Sequence, residues 1–218
     1  MITTEQARAR LDAAGVPPRD VLLPGEEGLN PRQGALHVAA ADTGYEIQAQ
    51  EYGLAEVVAR ASTLDEALEY VVTRVTRALP APRPWDSAKL QRPRELFQQI
   101  DQQVRSLVAS QPGANPVFDL YDGLVVDRFG ALDGFLLWPE GTPFAHRAQP
   151  PDTLDPSLPD QGYSIFGVAA PVKVRARITA PWFGQPGGAL CLKIDAPRTT
   201  VRDLVQSGAL IRLDVQKP

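Results

Sequence analysis

The chemistry-bearing residue types of this chain concentrate in residues 181–188, PWFGQPGG. Trp182 and Phe183 offer flat faces for a ring. Gln185 carries both donors and an acceptor. Gly184, Gly187 and Gly188 permit unusual backbone angles and let a ligand approach the main chain. Two other segments, DRFG (127–130) and AHRAQPP (145–151), each set an arginine beside an aromatic or a proline-fixed loop. The forks of Arg128 and Arg147 suit phosphate oxygens. Together the set suits a ligand that joins a diphosphate to a heteroaromatic ring.

Other chemistries are excluded. The chain has no GxxxxGK[ST] loop, GxSxG elbow, HExxH helix or GxGxxG turn. One cysteine, Cys191, cannot form a disulfide within the chain or a Cys-based zinc site. It sits in the apolar run ALCLKI and reads as a buried, inert thiol. Two histidines, His37 and His146, argue against a His-built metal centre and leave a serine or cysteine nucleophile without a partner. No metal or cofactor is therefore expected. A net charge of −4 argues against binding nucleic acid through bulk charge. No run of about 18 apolar residues occurs to span a membrane. The N-terminal MITTEQARARLDAAG lacks an apolar h-region, so the expectation is a protein cytoplasmic as made.

The elements that must position these residues divide at proline. Residues 80–94, PAPRPWDSAKLQRPR, hold four prolines, which block a regular helix or central strand. They read as a linker (81–94) between an N-terminal unit (1–80) and a C-terminal domain (95–218). The N-terminal unit is a small α/β unit. Thr3 with Gln6 forms a capping box that opens a helix to about Ala14. Residues 35–41 and 45–52 read as strands around a turn at 42–44. Thr63 and Glu66 open a second helix with Leu64, Leu68, Val71, Val72, Val75 and Leu79 on one face. A third helix over 93–109 has Leu96, Phe97, Ile100, Val104, Leu107 and Val108 as its stripe. Strand-like stretches then alternate with Gly/Pro turns (PVFDLY, GLVVDRF, GFLLW, the long run 163–178, ALCLKI). A short helix stopped by Gly208 follows. The fold class is α+β, with a β-rich C-terminal domain.

At these residues the chain resembles the tuberculosis necrotizing toxin domain family, bacterial NAD+ glycohydrolases with fungal surface relatives. The resemblance rests on DRFG, the following Gly134–Phe135–Leu136, R-A-x-P-P at 147–151, the YSIF…P-V-K-V strand pair, PWFGQPGG, and a closing V-x-D-L-x-x-x-G-x-L. These stand in order over about 118–213. The resemblance implies cleavage of the nicotinamide–ribose bond of NAD+, with NADP+ as a possible second substrate, giving nicotinamide and ADP-ribose. It implies Gln185, Arg147 and Ser164 as catalytic positions, and Arg128, Phe129, Phe135, Trp182, Phe183 and Gly184 as substrate-binding ones. Where the family toxin has a functional His after the Tyr of the YSIF segment, this chain has Ser164. The resemblance further implies a toxin or NAD-depleting effector, with a cognate immunity protein and export by a specialised system. Two alternatives stand beside it: an impaired relative that binds NAD or ADP-ribose without turnover, and a protein-interaction module. Plain structural readings also stand. Arg128 would pair with Asp127 or another acid, Arg147 would be solvated, Phe135 would be core, and Gln185 would satisfy turn backbone.

Overall fold

The computed structural model describes residues 1–216; the last two residues of the expected C-terminal domain lie outside them. The chain forms two compact units. The first comprises Met1–Leu79 together with Gly130–Phe135 and Pro197–Arg202. The second comprises Pro80–Phe129, Leu136–Ala196 and the chain from Asp203 onward.

The first unit is a four-stranded sheet with two helices. Helix α1 (Thr4–Ala13) starts on the expected capping box, with the Thr3 and Gln6 side chains each accepting from the other's backbone N–H. Strands β1 (Val21–Leu22), β2 (Ala35–Ala40), β3 (Tyr45–Glu51) and β4 (Leu54–Ala61) lie in that order. Strand β1 runs parallel to β2, and the later neighbours are antiparallel. Helix α2 (Leu64–Thr76) buries Ala67, Leu68, Val71 and Val72, the face set by their three- and four-residue spacing. The Thr63 hydroxyl accepts from the Glu66 N–H, as a helix start requires. Strand β4 had no counterpart in the sequence reading, because Tyr52 turns the chain at φ 55 without a marker as strong as the turn at 42–44.

A buried carboxylate ties the two later segments into this unit. Asp133, 2% exposed, accepts from Arg74 Nε at 2.6 Å and from Arg202 Nε at 2.7 Å. Arg74 Nη2 also donates to the Thr200 hydroxyl at 2.7 Å. A carboxylate held by two nearly buried cations is costly to remove, since both guanidinium groups would lose their counter-charge.

The second unit is an eight-stranded mixed sheet in the order β5-β12-β9-β7-β8-β11-β10-β6. These strands are β5 (Arg83–Asp86), β6 (Val117–Leu120), β7 (Val125–Phe129), β8 (Leu136–Pro139), β9 (Tyr163–Val168), β10 (Val172–Ile178), β11 (Leu190–Ile194) and β12 (Leu210–Gln216). The helices are α3 (Gln91–Ser110), α4 (Phe144–Arg147) and α5 (Val201–Ser207), the last beginning with two residues of the first unit. The mixture of sheet and short helices is the expected α+β class. Two elements differ from the sequence reading. The proline-rich stretch contains an edge strand: β5 runs parallel to β12, with Pro84 opposite Asp214. An edge tolerates the missing N–H of a proline. The run 163–178 is two strands, because 169–171 breaks it and Pro171 cannot donate to a ladder. Cys191 is buried in β11 as expected.

Asp133→Ala is expected to lower the unfolding free energy by about 3–5 kcal/mol. Urea denaturation followed by circular dichroism checks this, and a loss under about 1 kcal/mol would contradict it.

Candidate active site

Strand β7 is the central element of the site. Its first four residues, Val125, Val126, Asp127 and Arg128, are all buried, so two consecutive charged side chains lie in the interior. Successive side chains on a strand point to opposite faces. Asp127 and Arg128 therefore cannot pair, and each finds its own partners. Arg128 Nη1 donates to the Leu136 carbonyl at 3.1 Å. The pairing of Arg128 with Asp127 is thereby corrected.

Asp127 pairs with Arg147 instead. The Arg147 Nη1 to Asp127 Oδ1 distance is 2.7 Å, and the two side chains are 1% and 0% exposed. The other carboxylate oxygen accepts from the Tyr163 hydroxyl at 2.6 Å and the Gly141 N–H at 3.1 Å. Arg147 spends Nε and Nη2 on the Thr142 carbonyl, at 3.0 and 2.7 Å. Its guanidinium carbon lies 4.9 Å from the centroid of Phe129 and 5.3 Å from that of Trp138, a cation–π sandwich. Arg147 is thus neither solvated nor a free fork. Burial pushes the Asp127 carboxyl above its ordinary range, against the opposing pull of Arg147, Tyr163 and Gly141. Burial and the neighbouring Asp127 carboxylate both push the Tyr163 phenol well above its ordinary value. It therefore serves as a neutral hydrogen-bond donor.

Register separates the expected catalytic residues. Strand β9 pairs antiparallel with β7, with Phe129 opposite Tyr163 and Arg128 opposite Ser164. The Phe129 and Tyr163 rings lie 4.7 Å apart, on the face that carries Asp127. Phe144 meets Phe129 edge-on at 5.4 Å. Ser164 lies on the other face, beside Arg128. Phe135 belongs to the first unit, where it is 2% exposed and its N–H donates to Glu51 Oε2 at 2.6 Å. Arg128 and Ser164 thus lie on the face of β7 and β9 opposite to the Asp127–Arg147 pair.

The loop between β10 and β11 carries Gln185. Trp182 and Gln185 exchange both backbone hydrogen bonds around a two-residue turn. Phe183 and Gly184 at its centre have φ of 50° and 70°. Positive φ at both positions defines a type I′ turn. Glycine suits that geometry, whereas an aromatic residue there is strained. The Trp182 and Phe183 rings stack at 4.5 Å and are 48% and 41% exposed. Gly187, at φ 64°, must be glycine: a Cβ there would stand 2.7 Å from the backbone of Thr179 and Ala180. The loop is joined to α4 by Gly187 N–H to the Ala145 carbonyl, at 3.3 Å, and Ala189 N–H to the His146 carbonyl, at 3.1 Å.

Gln185 Nε2 donates to the Gln149 carbonyl at 2.5 Å. A carbonyl only accepts, so the amide nitrogen faces Gln149 and Oε1 is turned away. Oε1 is buried and accepts no hydrogen bond from any described residue. The structural reading of Gln185 as a turn-satisfying residue therefore covers only half of its amide. Ala148, between Arg147 and Gln149, holds φ 50° although it is not glycine. Pro150 and Pro151 follow and fix the chain after it. Asp127, Tyr163 and Thr142 escaped the sequence reading. The aspartate in DRFG was visible, but its partner twenty residues away was not. Among the described residues, no group of three or more His, Cys, Asp and Glu is placed to hold a metal ion. No helix among them is long and apolar enough to cross a membrane.

Tyr163→Phe is expected to cost about 1–2 kcal/mol of stability, and Asp127→Ala about 3–5 kcal/mol by leaving Arg147 buried without its counter-charge. Paired denaturant titrations check the order; a larger loss for Tyr163→Phe would contradict it.

Residues 119–213 match the family model described as Tuberculosis necrotizing toxin. The conidial surface nicotinamide adenine dinucleotide glycohydrolase of Aspergillus fumigatus is 36% identical over 95 residues, which cover 42% of this chain and 39% of that protein. The chain thus spans well under half the length of that curated relative. A solved structure of the tuberculosis necrotizing toxin complexed with its immunity factor aligns with 22% identity and a TM-score of 0.34. It covers 45% of this chain and 55% of the other. Residues 119–213, which carry β7, Arg147 and the glutamine loop, are thus the segment that matches the tuberculosis necrotizing toxin family.

Proposed function

We propose that the chain is an NAD+ glycohydrolase that releases nicotinamide and leaves ADP-ribose, with NADP+ as a second substrate. The observation that carries this reading is the orphan Oε1 of Gln185, buried beside the exposed Trp182–Phe183 pair. The family match over 119–213 and the activity in the name of the Aspergillus relative support it.

The chemistry asks little of acid or base groups. The nicotinamide leaving group is already cationic and departs without protonation. The transition state resembles an oxocarbenium ion, as in glycoside cleavage. The enzyme must hold the ribose, place a water and stabilise developing positive charge. An amide oxygen with no protein donor is suited to accept from a ribose hydroxyl or the attacking water. Its negative dipole end also favours the oxocarbenium. Gln149 holds the other end of the amide, so this orientation exists before substrate arrives. The stacked Trp182 and Phe183 offer a surface for a base or nicotinamide ring. Arg147, pinned under Phe129 and paired with Asp127, contributes rigidity to the wall. Ser164, on the face of β9 opposite to Tyr163, is assigned no step in this scheme. An enzyme that depletes NAD+ requires restraint in the cell that makes it. A cognate inhibitor protein and a specialised export route follow from this reading.

Purified protein mixed with NAD+ is expected to release nicotinamide, followed by chromatography. Gln185→Ala should lower the rate at least about a hundredfold, the scale of losing one preorganised transition-state contact. Ser164→Ala should stay within about threefold of wild type. No turnover by wild type at micromolar enzyme would overturn the proposal. Phe183→Asn should raise thermal stability, by about 1 kcal/mol, because Asn accepts left-handed backbone, while KM rises. A fall in stability would contradict the strain argument.

A further inference from the structure

Helix α3 lies wholly before residue 119, where the family match begins. Two of its arginines reach the two loops that hold the candidate site. Arg94 grips Glu140 with both nitrogens, Nε to Oε2 at 2.8 Å and Nη2 to Oε1 at 3.0 Å. Glu140 adjoins Gly141, whose N–H serves Asp127, and Thr142, whose carbonyl holds Arg147. Arg105 donates through Nη2 to the Gly188 carbonyl at 2.5 Å, and its Nε is held by Asp101 at 2.6 Å. Gly188 closes the loop that presents Gln185.

The spacing makes this one device. Eleven residues are about three helical turns, so Arg94 and Arg105 leave the same face of α3, about 16 Å apart along its axis. Phe97 and Val104, 3% and 0% exposed, anchor the helix in the second unit. Between α3 and the loops lies a cavity of about 680 Å³, bordered by both arginines, Glu140, Thr142, His146 and Gly188. With open space between the helix and the loops, the two guanidinium bridges carry the polar contact between them. Glu140 holds the Arg94 charge, moving its pKa further up. Arg94 and Arg105 touch none of the proposed reacting atoms. They act through Thr142 and Gly188 on the residues that do.

We infer that helix α3 is a two-point clamp on the active site, with Arg94 and Arg105 as positioning residues for Arg147 and Gln185. This rests on the glycohydrolase reading for its kinetic consequence, but not for its structural one. The family-matched segment is accordingly incomplete as a catalyst without the preceding helix.

The test uses the full chain with Arg94→Gln, Arg105→Gln and Arg105→Lys. Hydrogen exchange should quicken in 139–143 for Arg94→Gln and in 180–188 for Arg105→Gln, with the rest of the second unit unchanged. Each glutamine variant should lose about tenfold in kcat, as slight misplacement of a catalytic group does, with KM within about twofold and the melting temperature nearly constant. Arg105→Lys should restore kcat, because a single ammonium donor suffices for one carbonyl. Unchanged exchange in both loops would overturn the clamp. So would a general rise in exchange with a lowered melting temperature, which marks a merely structural role. If wild type shows no turnover, the glycohydrolase reading fails, and the local exchange pattern still decides the clamp.

Discussion

The site is organised by one buried ion pair. Asp127 and Arg147 meet with almost no solvent exposure on either side, in an environment where an unpaired charge is untenable. The pair joins the middle of the sheet to the crossing between β8 and β9. Its other hydrogen-bond partners are local. Tyr163 and Gly141 satisfy Asp127, and Thr142 takes two donors of Arg147. These bonds offset part of the cost of burying two charges. Ala148 and Gln149 follow Arg147, and the Gln149 carbonyl in turn takes the amide N–H of Gln185.

The glutamine loop shows the opposite economy. Its type I′ turn places an aromatic residue where glycine or asparagine would be relaxed. Gly187 packs against backbone so tightly that no side chain fits. The result is a loop with a fixed path and two aromatic rings held outward. Strain of this kind persists where the surroundings over-determine it, here through the bonds of the loop to α4. The unsatisfied Gln185 Oε1 at its end stands beside the Gln149 side-chain amide, also buried without a hydrogen-bond partner among the described residues.

Much of this was legible in the residues. The spacing of Leu68, Val71 and Val72 gave α2, because a 3.6-residue period is a property of the chain itself. The α+β class and the buried Cys191 were legible for similar local reasons. The motifs DRFG, RAxPP and PWFGQPGG marked the right segments. What stayed hidden was pairing at a distance. Nothing local says that Asp127 faces Arg147 rather than Arg128, although strand alternation already forbids the second. Strand β5 was obscured by Pro84, whose tolerance depends on lying at a sheet edge. The separation of Ser164 from Asp127 is a matter of register, which a motif string does not encode.

The central claim is that Gln185, Phe129 and the Trp182–Phe183 pair form the ligand face, on a frame set by Asp127 and Arg147. The most direct measurement is a backbone NMR titration of the intact protein with ADP-ribose. The account predicts shifts confined to the ends of β7 and β9 on the Phe129–Tyr163 face, to 145–149 and to 182–188. Shifts centred on Arg128 and Ser164, or on the four-stranded sheet of the first unit, would contradict it.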